Sequence, residues 1–168
     1  MLSSESQSAA FCHNSAAVSK EEAMPTITPF LWFNNNAEEA MRFYASVFPN
    51  SKVLSASPMI VRARLDGQEV MGLNGGPQFA FTEAFSFLIT CETQEDVDRY
   101  WSALTAGGGK PGRCGWLKDR FGLSWQVVPA VLSELMQRGP EQSKRVMDAV
   151  MQMDKLDIAR LRQAAGNA

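Results

Sequence analysis

Histidine is nearly absent from this chain: His13 is the only one. It falls in the Ser- and Ala-rich stretch 1–24, which reads as a disordered extension, and a mobile tail cannot hold a base in place. Histidine-dependent nucleophiles therefore have no partner in the body of the chain. Cysteine is scarce too. Cys12, Cys91 and Cys114 are odd in number, widely spaced and without a CxxC pair, which fits a reduced, cytoplasmic protein better than a disulfide framework. No apolar run approaches the length that spans a bilayer, and the first residues lack the basic start and apolar core of a secretory signal. With a net charge of −2 and a pI near 5.5, nothing electrostatic argues for nucleic acid or an anionic membrane as partner. What remains is an ordinary soluble composition, 45% hydrophobic and 20% charged, long enough for one domain with tails.

Within that body the chain repeats itself. PFLWFNNNAEEAMRFYASV, beginning at Pro29, aligns with SFLITCETQEDVDRYWSAL, beginning at Ser86. One constant offset carries Asn36 onto Thr93 and Arg42 onto Arg99. In each copy an apolar strand runs into a helix-capping residue, acidic residues fill the first turn, and Arg precedes an aromatic pair. Two copies are too few for a solenoid, so a pseudo-symmetric α+β domain is expected.

In the first copy, Ile27–Phe33 reads as a strand and Asn36 as an N-cap, with Glu39 completing a capping box. Ala40, Phe43, Tyr44, Val47 and Phe48 recur at helical spacing, and Pro49-Asn50 stops the helix. A short strand at 52–56 and two strands flanking Asp66-Gly67 follow, the dipeptide marking a two-residue hairpin turn. In the second copy, Phe85–Cys91 is a strand, Thr93 an N-cap, and Gly107-Gly108-Gly109 the helix end. Another strand could stand in 107–112, and Cys114–Lys118 and Leu123–Val128 are strands. Each copy thus reads βαβββ. The tail is helical at about 131–137, 140–152 and 158–165, with Pro140 suited to a first turn and Val146, Met147, Val150, Met151 and Met153 forming a sticky stripe that suits core or dimer packing better than a cofactor. The expected domains are the extension 1–24, a two-unit domain at 25–129, and C-terminal helices at 130–168 that pack on it or on a dimer partner.

Two such units resemble the vicinal oxygen chelate superfamily of glyoxalases, extradiol dioxygenases and bleomycin-resistance proteins. ITPFLWF, AEEAMRFYASVFPNS, LDGQEVMGLNGGP, FTEAFSF, CETQEDVDRYWSAL, CGWLKDRFGLSWQVVP and RVMDAVMQMDKLDIARL resemble, more narrowly, the PhnB-like family catalogued as 3-demethylubiquinone-9 3-methyltransferase. The match runs from Thr26 to about Leu161. The resemblance implies paired βαβββ units whose concave sheets hold the ligand. It also implies a longer Gly/Pro-rich excursion where this chain has only Pro58, which bears on pocket depth.

In metal-dependent relatives the ligands come from the first and last strand of each unit. Counting back from the aromatic pairs, and forward from the turn aspartates, those positions are Pro29, Met71, Ser86 and Gln126. They offer little to a hard divalent ion, so no metal is expected. Gln126 is the best polar candidate, either for a ligand or for a structural hydrogen bond to Ser86 or a water. Ser124 and Val128 share its side of the strand, and Ser86, Leu88 and Thr90 the same side of the neighbour. Trp116 could wall a flat ligand; Trp125 should face its helix. Cys114 lies near Arg113 and Lys118 but has no histidine base, which favours an inert residue. Glu83, beside the apolar 79–85 stretch, is either a carboxylate of raised pKa or a solvated loop residue.

The expected function is metal-free and cofactor-free binding of a small, partly apolar molecule by a cytoplasmic homodimer, through Gln126, Ser86, Trp116, Leu88, Ser124 and Met71. The alternative is an enzyme of the same superfamily with a non-standard site, methyltransferase, lyase or dioxygenase, although no Gly-rich strand-to-helix turn for a nucleotide-like cofactor is present. A third reading makes the dimer itself the product, with a vestigial pocket.

Overall fold

A computed structural model describes residues 26–166; the 1–24 extension and His13 lie outside the described residues. The first unit comprises β1 (Phe30–Phe33), α1 (Ala37–Val47), β2 (Lys52–Ala56), β3 (Ile60–Leu65) and β4 (Gln68–Asn74). The second comprises β5 (Ser86–Cys91), α2 (Gln94–Thr105), β6 (Lys110–Pro111), β7 (Trp116–Lys118) and β8 (Ser124–Pro129). Each unit is one four-stranded sheet, ordered β1-β4-β3-β2 and β5-β8-β7-β6. The first strand of each lies parallel to the last, and the other pairings are antiparallel. The strand expected in 107–112 is reduced to the two residues of β6.

The turns explain the order. Asp66 and Gly67 both have positive φ (43° and 87°), the twist a two-residue hairpin needs. Thr93 caps α2 by accepting the Asp96 N–H. Asn36 does not cap α1: its side chain makes no cap bond. The Ala37 N–H instead donates to Asn74 Oδ1 at 2.9 Å, and Asn74 Nδ2 donates to the Pro58 carbonyl at 2.9 Å. A residue at the end of β4 therefore caps the helix across the sheet, a partner that local sequence cannot reveal.

Each sheet buries one face in a core common to both units. Leu31, Phe33, Val61, Ala63 and Val70 face α1, and Leu117, Trp125 and Val127 face α2. Gly72 lets α1 approach closely, since a Cβ there would meet Met41 Cε at 3.0 Å and Ala37 Cβ at 3.1 Å. Phe48 joins the units by stacking on Tyr100 and Trp125, with ring centroids 5.4 and 5.2 Å apart.

The repeat is offset by one residue between helix and strand. Asn36 and Thr93 begin equivalent helices, but the last core-facing strand residues are Phe33 and Cys91, so unit one holds an extra residue before its helix. Asn35, at φ 63°, lies in that connection. A one-residue slip reverses which side a strand residue faces. Pro29 therefore matches Phe87, and Thr28 is the counterpart of Ser86.

The tail forms α3 (Val131–Leu135), α4 (Pro140–Val150) and α5 (Ile158–Ala165), around a small core of Leu135, Val146, Val150, Met153, Leu156, Leu161 and Ala165. Backbone bonds from Cys114 N–H to the Met153 carbonyl and from Gly115 N–H to the Asp154 carbonyl, both 2.7 Å, fasten it to unit two. Cys114 itself is not in a strand, as the sequence suggested, but in a turn at φ 59°. The sticky stripe divides: Val146, Val150 and Met153 are buried, Met147 and Met151 exposed.

Candidate functional site

The pairing of β5, β8 and β7 sets the polar candidates side by side. Ser86 pairs with Ser124, Leu88 with Gln126, and Trp116 with Gln126. By strand alternation, Ser86, Leu88, Ser124, Gln126 and Trp116 share the face turned away from α2. Gln126 Nε2 donates to Ser86 Oγ at 3.0 Å, so Ser86 keeps its own O–H and Gln126 its carbonyl oxygen. Ser124 is 1% exposed. Its hydroxyl is the buried side-chain polar group that lacks a hydrogen-bond partner among the described residues. Leu88 is 57% exposed, unusual for leucine in mid-strand.

Met71 belongs to the other sheet. It pairs with Phe30 and Arg62, the register counterpart of Gln126 with Leu88 and Trp116. Its neighbour Phe30 is 52% exposed. The sequence thus brought five of its six site residues together, and the sixth occupies the equivalent place in unit one.

A cleft of about 490 Å³ runs between the units, lined by residues that include Phe48, Phe87, Leu88, Ile89, Tyr100 and Trp125, with Asp66, Gln68 and Thr90 as polar members. Of the six expected residues only Leu88 lines it. Pro29 lines it as well, on the helix side of its sheet. A second concavity of about 420 Å³ lies between the starts of α2 and α5, around Gln94 and Arg162.

Geometry decides one alternative left open in the sequence and meets one expectation. Glu83 is fully exposed and ion-paired with Lys118 at 2.7 Å, and its carboxyl is held below the ordinary range by the Lys118 hydrogen bond. It is not a base of raised pKa. Trp125 faces the core, as alternation required, stacked against Phe48 and packed on Phe87.

One polar cluster escaped the sequence reading. Asp119, 3% exposed, accepts four hydrogen bonds: from Tyr44 Oη at 2.7 Å, Trp125 Nε1 at 2.8 Å, and the Phe121 and Leu123 N–H groups at 2.8 and 3.1 Å. Burial pushes its carboxyl up, and these donors pull it part of the way back. The Tyr44 phenol is raised well above its ordinary value by burial and by Asp119, so it stays a proton donor. In sequence Asp119 is an ordinary turn residue, and its partner Tyr44 is 75 residues away. The cluster ties the first helix to the second sheet and touches the cleft only through Trp125, whose ring lines it.

The family model for 3-demethylubiquinone-9 3-methyltransferase matches residues 25–128. The chain belongs to that family. A PhnB protein from Bacillus cereus carrying the same methyltransferase label is 34% identical, over 63% of this chain and 100% of its own, with a TM-score of 0.57. The fosfomycin resistance protein FosX from Listeria monocytogenes, complexed with Mn(II) and sulfate, is 14% identical over 68% of this chain and 97% of its own, with a TM-score of 0.53. Protein PA1353 from Pseudomonas aeruginosa is 21% identical over 62% and 97%, with a TM-score of 0.51; these last two speak for the fold alone. No curated protein matches the chain. The family shares its fold with FosX and PA1353.

The metal that the sequence resemblance implies does not fit the residues of this chain. With the one-residue slip corrected, the ligand positions become Thr28, Met71, Ser86 and Gln126. Two hydroxyls, a thioether and a neutral amide do not make a set for a hard divalent ion. Among the described residues no three His, Cys, Asp or Glu side chains come together as a metal site.

Proposed function

We propose that this protein binds a small, partly apolar molecule at β5, with the apolar part in the inter-unit cleft and a hydrogen-bonding group at the Gln126–Ser86 pair. The carrying observation is Leu88. It lines the cleft and is paired in register with Gln126, so one exposed side chain links an apolar wall to the polar pair. The cleft volume falls in the range of small-molecule sites, about 300–1,000 Å³. Ser86 offers a donor and Gln126 an acceptor, which suits a neutral hydroxyl, amide or carbonyl group better than a charge. No methyl-transfer step follows from the residues: the strand-to-helix turns are Asn34-Asn35-Asn36 and Glu92-Thr93, without the glycines that bring a nucleotide-like cofactor close to backbone.

The functional unit in this proposal is a homodimer. β1 and β5 each have one unpaired edge, and exposed edges next to Phe30 and Leu88 call for cover. The burial of Val146, Val150 and Met153 within the chain leaves the sheet edges, of the edges and tail helices first expected, as the main contact. Sedimentation at micromolar concentration should give the dimer mass; a stable monomer would remove this part of the reading.

The binding site is tested with the fluorescent apolar probe 1-anilinonaphthalene-8-sulfonate. Saturable enhancement in the native protein, weakened by Leu88→Glu in a variant that keeps the native far-ultraviolet spectrum, is the expected result. Non-saturable enhancement, or equal binding by the variant, refutes the placement at β5.

A further inference from the structure

Two sulfur side chains meet where the tail is fastened to unit two, and a third stands one helical turn away. Cys114 Sγ lies 3.5 Å from Met151 Sδ. Both partners are anchored by backbone: the Cys114 N–H bonds the Met153 carbonyl, and the Arg113 guanidinium bonds the Met151 carbonyl. The Met151 N–H donates to the Met147 carbonyl at 2.9 Å, so Met147 stands one helical turn back on the same side of α4. Met147 and Met151 are 43% and 50% exposed. Methionine is ordinarily buried, and their neighbours Val146 and Val150 are.

We propose that Cys114, Met151 and Met147 form a surface site for a soft monovalent cation, with Cu(I) as the natural occupant. One thiolate and two thioethers are the donors that select Cu(I) over hard ions. Two metal–sulfur bonds of about 2.3 Å spanning the observed 3.5 Å meet at about 100°, leaving room for the third sulfur. Zinc, which takes four N, S or O ligands, lacks a second thiolate or a histidine here. On binding, the Cys114 thiol releases its proton to solvent as the sulfur–metal bond forms, and the metal keeps its oxidation state. Cys91 is no competitor: it is buried, and its thiol is pushed up to about 11. The site is independent of the ligand reading at β5.

The test is an anaerobic titration with Cu(I) against the chelator bicinchoninate, on protein carrying Cys12→Ser to remove the thiol of the N-terminal segment. Stoichiometric Cu(I) binding is expected, repeated by Ag(I) and not by Zn²⁺. Cys114→Ser should abolish it. Met151→Leu and Met147→Leu, close in size, should each weaken it at least about tenfold, the lower end of an outer-shell change, with an unchanged near-ultraviolet spectrum. Absence of binding in the parent, as when a second copy covers these sulfurs, overturns the proposal. So does binding that survives Cys114→Ser, or Met→Leu variants that bind like the parent.

Discussion

Replacing Tyr44 by Phe removes one hydroxyl and leaves the ring, so the packing against Trp125 and Phe121 is kept. What is lost is a 2.7 Å hydrogen bond to the buried Asp119 carboxylate. A hydrogen bond to a charged group is worth about 1.5–3 kcal/mol net. For a chain of this length each kcal/mol moves the melting temperature by about 2–4 °C, so Tyr44→Phe should lower it by about 3–12 °C. The pH dependence identifies the cause. Asp119 has its carboxyl raised above the ordinary 3.8 by burial, so through that window the folded state holds more proton than the unfolded one. Its contribution to stability therefore rises as pH falls from the raised value toward the ordinary one, and is lost as pH rises through the raised value. Removing the Tyr44 donor raises the carboxyl further and widens the window, whereas Asp119→Asn abolishes that part of the slope. Calorimetric scans across the acid range on the three proteins read both quantities. A Tyr44→Phe protein melting within a degree or so of wild type, or an Asp119→Asn protein with the wild-type pH slope, would refute the reasoning.

Asn74→Ala should cost about 0.5–2 kcal/mol in urea unfolding, because it removes the cap of α1, whereas Asn36→Ala should stay within about 0.5 kcal/mol. Gly72→Val should destabilise by about 1–3 kcal/mol through overpacking against Met41 and Ala37, read as a shift of the urea midpoint. Glu83→Gln should leave the urea midpoint unchanged across neutral pH, since its ion pair with Lys118 is exposed.

The paired βαβββ architecture was legible because its signals are local: helical spacing in 40–48, the Asp66-Gly67 turn, and a cap at Thr93. The candidate face was legible for the same reason, since a period of two puts Ser86 with Leu88 and Ser124 with Gln126. What failed was non-local or depended on a single residue. Asn36 carries every sequence mark of a cap, yet Asn74 from β4 holds the place. The extra residue before α1 is invisible to an offset counted from the helices, and it misplaced Pro29 in a ligand position. Asp119 reads as a turn residue, because its burial is created by Tyr44 and Trp125 arriving from two different elements. The cleft could not be read either, because it lies between units whose packing rests on Phe48 and Tyr100 meeting across the core.

The most direct test of ligand binding at β5 is native mass spectrometry with elemental analysis on protein purified from its own cells, as wild type and as Gln126→Ala. A small molecule retained by the wild type and lost or weakened in Gln126→Ala, with metal content unchanged between the two, is the predicted result. Near-stoichiometric Mn²⁺, Ni²⁺ or Zn²⁺ in the wild type that disappears with Gln126→Ala would contradict it and favour the metal-dependent enzyme reading.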